Sequence, residues 1–169
     1  MKIIVLDIDG VICLPSRENG GGWGSRKRKI KRWELEGGDG QPPVNIRFDD
    51  LNKIAVGVLN DILLKSGAEI VISSDWRLYA TLDEMKDLFH HFGIIKVPID
   101  FTPELQTTTK HANIRVDEIN LWLSKHPEVT HWVAIDDLDL SELDNFTKCR
   151  EREGLKQCNI SSKILKFLI

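Results

Sequence analysis

KIIVLDIDGV, residues 2–11, decides the fold: a β-branched apolar run over residues 2–6 breaks at once into the polar turn Asp7-Ile8-Asp9-Gly10. A continuous apolar run of this length, closed by a turn signal, reads as a strand buried on both faces with functional groups at its carboxyl end. The figure recurs twice. Residues 69–72 run into Ser73-Ser74-Asp75-Trp76-Arg77, and residues 132–135 run into Asp136-Asp137.

Helical patterns separate these runs. Leu51, Ile54, Ala55, Val58, Leu59, Ile62 and Leu63 repeat at i, i+3, i+4 spacing, with Asp49 or Asp50 as the expected cap and Gly67 as the stop. Thr81 and Glu84 have capping-box spacing ahead of Leu82, Met85, Leu88, Phe89 and Phe92. Further on, the pattern predicts a short strand over 94–99, a polar loop over 102–113, a helix marked by Val116 to Leu123 and ending near His126-Pro127, a weaker strand over 146–149 and a last helix capped by Ser161 or Ser162. Alternation of this kind implies right-handed crossovers and an α/β fold with a mainly parallel sheet. All strand carboxyl ends then meet one edge, where such folds bind ligands, so Asp7/Asp9, Ser73/Ser74 and Asp136/Asp137 should converge.

Composition bounds the rest. With 169 residues, 41% of them hydrophobic, five tryptophans and a net charge of −3, the chain suits one globular domain and excludes disordered, collagenous or wholly basic classes. No apolar run is long enough for a membrane span or a secretion signal, which makes the cytoplasm the expected location. Cys13, Cys149 and Cys158 are odd in number and form no CxxC pair, as reduced thiols would. Charge is uneven: residues 17–33 hold seven basic residues against Glu18 alone, so +6, leaving −9 for the remainder. Seven of the twelve glycines fall in or beside that stretch, and residues 14–47 read as a mobile insertion outside the core.

Clustered carboxylates repel by on the order of 4 kcal/mol per pair at about 4 Å and intermediate dielectric, unless a cation lies among them. Oxygen ligands beside serine hydroxyls suit Mg²⁺ and phosphoryl chemistry. Simpler roles exist for each piece. Asp-Gly is turn chemistry, Ser73 or Ser74 could cap a turn, Asp136-Asp137 could cap a short helix near 138–143, and Trp76, Trp122 and Trp132 suit the core. The five histidines show no ligand spacing.

The strand-borne Asp7-Ile8-Asp9-Gly10-Val11, the Ser73 that follows a second strand and the Asp136-Asp137 that follow a later one resemble motifs of the haloacid-dehalogenase-like (HAD) phosphohydrolases. Ser73-Ser74-Asp75-Trp76-Arg77, the stretch from Arg115 to Leu123 and the Asp-Asp pair are most similar to small HAD domains of RNA-repair proteins and nucleotidase-like phosphatases. The resemblance implies a Rossmannoid three-layer sandwich with the 14–47 insertion as a short cap of C1 type. It implies Asp7 as nucleophile through an aspartyl-phosphate, Asp9 as general acid and base, and Ser73, with Ser74, as phosphate ligand. Mg²⁺ would be held by the Asp7 carboxylate, the Asp9 backbone carbonyl and Asp136 or Asp137. The basic residue that such enzymes place before the last motif is Arg115 or Lys110, with Arg115 favoured, although an arginine fork differs from the usual lysine. Val11 stands where the family often has threonine.

The expected substrates are phosphorylated small molecules, nucleotides or nucleic-acid ends, with Arg26–Arg32 and the neighbouring Trp23 and Trp33 as an electrostatic guide or a solvated lid face. Sugar phosphates remain an alternative, as does a binding module that uses the basic insertion on a non-catalytic HAD scaffold. No membrane partner is expected, and the oligomeric state is not legible.

Overall fold

The computed structural model describes residues 1–15, 22–106 and 111–169. In chain order, strand β1 (Lys2–Leu6) leads to helices α1 (Ser25–Leu35), α2 (Val44–Arg47) and α3 (Lys53–Ser66). Then come β2 (Glu69–Ile72), a 3₁₀ turn (Asp75–Leu78), α4 (Leu82–His91), β3 (Pro98–Phe101) and α5 (His111–Ser124). The chain closes with β4 (His131–Asp136), β5 (Phe146–Lys148), a second 3₁₀ turn (Gly154–Lys156) and α6 (Ile160–Leu168).

The sheet is all-parallel in the order β3-β2-β1-β4-β5, the α/β fold that the alternation predicts. Side chains of β1 alternate between two apolar layers. Ile4 and Leu6 pack with Leu59 of α3, Leu88 of α4 and Ile164 of α6, while Ile3 and Val5 pack with Val116, Ile119 and Trp122 of α5. Two buried faces explain why the strands carry continuous apolar runs. From β1 the chain steps outward to β2 and β3, then crosses back by α5 to β4 on the other side of β1. The order reverses between β1 and β4, the switch point at which open α/β sheets bind ligands.

Several local expectations shift. Helix α3 is capped by Asn52, whose Oδ1 accepts from the Ile54 and Ala55 N–H groups at 3.1 Å, and not by Asp49 or Asp50. Both aspartates are held by α1: Asp49 accepts from the Arg26 N–H at 2.8 Å, and Asp50 pairs with Lys29 at 2.6 Å. The strand expected over 94–99 lies at Pro98–Phe101, because the Ile94 N–H still closes the end of α4 on the Phe89 carbonyl. Proline is tolerated as the first residue of this edge strand. Helix α5 begins at His111, inside the expected polar loop, of which 107–110 lie outside the described residues. Asn159, at φ 62°, precedes α6 without a side-chain cap, and Ser161 and Ser162 lie inside the helix.

The insertion carries helix where glycine content suggests irregular chain. Arg, Lys, Glu and Leu are strong helix formers, and the glycines punctuate α1 at both ends. Gly24 precedes it at φ 86°, and Gly37 follows at φ 88° while the Gly38 N–H returns to the Trp33 carbonyl at 2.9 Å. Residues 16–21 of the insertion lie outside the described residues. Among the described residues no helix is long and apolar enough to cross a membrane.

Candidate active site

The first two polar strand ends are delivered by the ladder itself. The Asp7 N–H donates to the Ile135 carbonyl and the Ser73 N–H to the Leu6 carbonyl, both at 3.0 Å, so each residue extends its strand by one step toward the same edge. Asp136 closes β4, and its carbonyl accepts from the Cys149 N–H at 2.8 Å. Asp7, Asp136 and Asp137 thereby bring carboxylate oxygens within 4.8 Å of one another. Gly10 makes room for the third. At φ 70° it occupies the left-handed region, and a Cβ there would stand 2.5 Å from Asp137 Oδ2.

Arg115 reaches into this group from α5. Its Nη1 lies 3.0 Å from both Asp7 Oδ1 and Asp136 Oδ2, and its Nη2 lies 3.0 Å from Asp75 Oδ1. Burial alone would discharge the guanidinium, but Asp7 and Asp136 more than offset that and hold it charged. Burial, then repulsion from Asp136, pushes the Asp7 carboxyl well above the usual range against the pull of Arg115. Asp137 is pushed up to about 6 by burial and by Asp136. Asp136 is also tied below, its Oδ1 accepting from the Leu138 N–H at 2.8 Å in a turn; no helix forms over 138–143, so the expected helix cap is absent and the bond only steadies the carboxylate.

Asp9 stands apart from the three-carboxylate group. Its Oδ2 accepts from the Trp76 indole N–H at 2.8 Å, and Trp76 stacks on Phe48 with ring centroids 4.6 Å apart. Burial raises the Asp9 carboxyl, and the indole hydrogen bond opposes that. The Ser74 Oγ accepts from the Trp76 N–H at 3.4 Å, which makes Ser74 the cap of the first 3₁₀ turn. Ser73 is buried at the strand end beside Asp7's strand. Lys110 lies outside the described residues.

Arg77 has a structural task. Buried, it donates to the carbonyls of Ser73, Ser74 and Thr102 at 2.9, 3.0 and 3.1 Å and pairs with Glu118 of α5 at 2.6 Å. Glu118 lies one turn beyond Arg115 on the same helix, and its other oxygen accepts from the Leu105 N–H at 2.9 Å. The pair fastens α5 to the end of β2 and so fixes where Arg115 enters the site. Asp75 stands 3.7 Å from Arg77 and closer, at 3.0 Å, to Arg115. Trp76, assigned from sequence to the core, is only 7% exposed yet spends its polar edge on Asp9. A tryptophan three residues after the polar strand end is the one sequence signal that could have found it.

The donor set fits a hard divalent ion. Three carboxylates leave two negative charges after Arg115 is counted, and their oxygens lie within 4.8 Å of one another, close to the roughly 4.2 Å across an octahedral magnesium site. Above them opens a cleft of about 990 Å³, lined by Asp9, Asp75 and Asp137 on the sheet side and by Trp23, Arg26 and Ile30 on the insertion side. Phe48, Trp76 and Tyr79 line it as well. The sequence matches over residues 3–160 the family model described as the HAD domain in Swiss Army Knife RNA repair proteins. No curated protein and no solved structure matches it.

Proposed function

We propose that this chain, which belongs to the family of HAD domains in Swiss Army Knife RNA repair proteins, is a Mg²⁺-dependent phosphomonoester hydrolase acting on nucleotides or nucleic-acid terminal phosphates. Membership points to phosphohydrolase-type chemistry. The observation that supports the fuller reading is the placement of one guanidinium 3.0 Å from both Asp7 and Asp136 at the sheet's switch point, beside a third carboxylate. Buried charge arranged in this way suits the equatorial oxygens of a phosphoryl group, which Arg115 would share with Asp7.

Asp7, Asp136 and Asp137 would hold the ion, which supplies charge neutralisation at the phosphoryl oxygens and keeps Asp7 ionised. An Asp7 carboxylate oxygen attacks phosphorus as the bond to the leaving oxygen breaks. Asp9 gives its proton to that oxygen. Its raised affinity for a proton and its fixed rotamer against Trp76 suit it to arrive protonated. Asp9 then takes a proton from water, whose oxygen attacks phosphorus and breaks the bond to Asp7, restoring both carboxyls. Arg115 stays charged throughout and steadies Asp7 between the two steps.

The test is phosphate release from a small aryl phosphate. Release should require Mg²⁺ and stop with chelator, and Asp7→Asn should lower turnover by about 10⁴-fold or more with the circular dichroism spectrum unchanged. Release that survives both treatments overturns the proposal.

A further inference from the structure

We infer that Trp76, backed by Phe48, is a positioning residue for Asp9, so that residues 47–50, on which the insertion rejoins the core, set the aim of the general acid as well as a wall of the cleft. The inference rests on the phosphohydrolase reading above and adds the group through which the insertion reaches the chemistry. The Trp76 indole N–H donates to Asp9 Oδ2 at 2.8 Å. An indole N–H can only donate, so the oxygen it touches must accept, and in the protonated carboxyl the proton is left to the other oxygen. One bond therefore selects both the rotamer of Asp9 and the oxygen that hands over the proton. The Cys13 thiol reaches the same carboxylate as a weaker donor.

The indole is held in its turn. Phe48 stacks on it with ring centroids 4.6 Å apart and planes 24° apart, and both rings are buried. Phe48 lies between fastened neighbours. Arg47 pairs with Glu84 of α4 at 2.9 Å, while Asp49 accepts from the Arg26 N–H at 2.8 Å and Asp50 pairs with Lys29 at 2.6 Å, both on α1. A shift of the insertion therefore moves Phe48, and the stacked indole passes the displacement to Asp9. A buried indole usually finds a partner for its N–H. Here the partner is the acid that the reaction uses, and displacing a reacting group by about 1 Å can cost about 10²-fold in rate.

The experiment follows kcat/KM, which reports the steps up to phosphoryl transfer to Asp7, over esters whose leaving oxygen needs a proton progressively more: dinitrophenyl, nitrophenyl, phenyl and alkyl phosphate. Trp76→Phe keeps a ring against Phe48 and removes the N–H. It should lower kcat/KM by less than about twofold for the dinitrophenyl ester and by about tenfold or more for the alkyl ester, within the roughly 10²–10⁴-fold that a general acid supplies. Phe48→Leu, which leaves the indole in place, should show the same trend at about threefold, and it carries the test if Trp76→Phe has no folded melting transition. Asp9→Ala should show the trend at its steepest. A second readout needs no turnover: in ¹⁵N-labelled protein the assigned Trp76 indole resonance should move upfield in Asp9→Ala. Losses equal along the ester series in the folded ring variants, or an indole resonance unmoved by Asp9→Ala, overturn the inference. Wild type that releases no phosphate from the dinitrophenyl ester with Mg²⁺ overturns the phosphohydrolase reading and the positioning role with it, whereas active wild type with equal losses in the variants overturns the positioning role alone.

Discussion

At the carboxyl edge of the sheet, Asp7, Arg115 and Asp136 are each under 5% exposed, and every charge touches another. On α1, Lys27, Arg28, Lys31 and Arg32 stand in solvent, with no carboxylate partner among the described residues. The two regions hold charge for different ends. Burial strengthens Coulomb interaction several-fold, so small displacements at the edge are expensive and geometry is preserved. Exposed charge acts weakly in any one pair but collectively over about a Debye length, roughly 8 Å at physiological salt, which suits capture and not chemistry. One chain thus carries a buried, mutually paired edge and, on its insertion, a solvated cationic face.

The largest break in that comparison should come at the edge. Arg115→Met removes the single cation among buried carboxylates, and breaking a buried pair in this way costs about 3–5 kcal/mol. In metal-free protein near neutral pH the melting temperature should fall by about 10 °C. Mg²⁺ should restore part of it, because the ion supplies the missing positive charge to the same oxygens. Calorimetry with and without Mg²⁺ checks this, and a loss of less than about 1 kcal/mol would show that Arg115 is not the charge on which the cluster depends.

The three strand ends were legible because a parallel strand buried on both faces announces itself as an apolar run, and its first polar residues must then be at the ligand edge. Arg115 came from the family resemblance, which left it open against Lys110, and the structure places Arg115 against Asp7 and Asp136. What stayed hidden depends on contacts far apart in sequence. The Trp76 bond to Asp9 and the Arg77 pair with Glu118 join residues 67 and 41 positions apart, and neither leaves a periodic trace. The α3 cap was misassigned for a related reason: Asp49 and Asp50 are as good caps as Asn52 by propensity, but α1 competes for both. Helix α1 itself was obscured by its glycine-rich flanks, which signal loop although the eleven residues between them favour helix.

A middling effect separates the regions by pH. Burial raises the proton affinity of Asp7, Asp9 and Asp137 in the folded chain, with Asp137 titrating at about 6 instead of near 3.8. A folded-state value above the unfolded one means that folding binds protons. The associated stability is fully present below the unfolded value and is lost as pH rises through the folded one. Metal-free protein should therefore lose melting temperature from about pH 4 to 6, and Mg²⁺, which must displace those protons, should raise it by several degrees near pH 7.5 and by much less near pH 5. A Mg²⁺ shift of equal size at both values would mean that the ion binds somewhere other than these carboxylates.

The smallest effect belongs to α1, and its smallness is the point. Lys27→Gln with Lys31→Gln removes two exposed charges that touch no carboxylate among the described residues, in a helix fastened to the body by other groups. Those fasteners are the Ser25 hydroxyl on the Asp50 N–H at 2.7 Å, Lys29 on Asp50, and Trp33 packed over Gly38, where a Cβ would strike the indole at 2.2 Å. Surface substitutions away from such features stay within about 0.5 kcal/mol, so the melting temperature should move by no more than about 2 °C. Relief of the like-charged i, i+4 pair makes any shift upward, and the gain should shrink as salt screens the repulsion. A loss of several degrees would mean that these lysines hold the insertion in place, and the outer face of α1 would then belong with the rigid edge and not with the solvated surface opposite it.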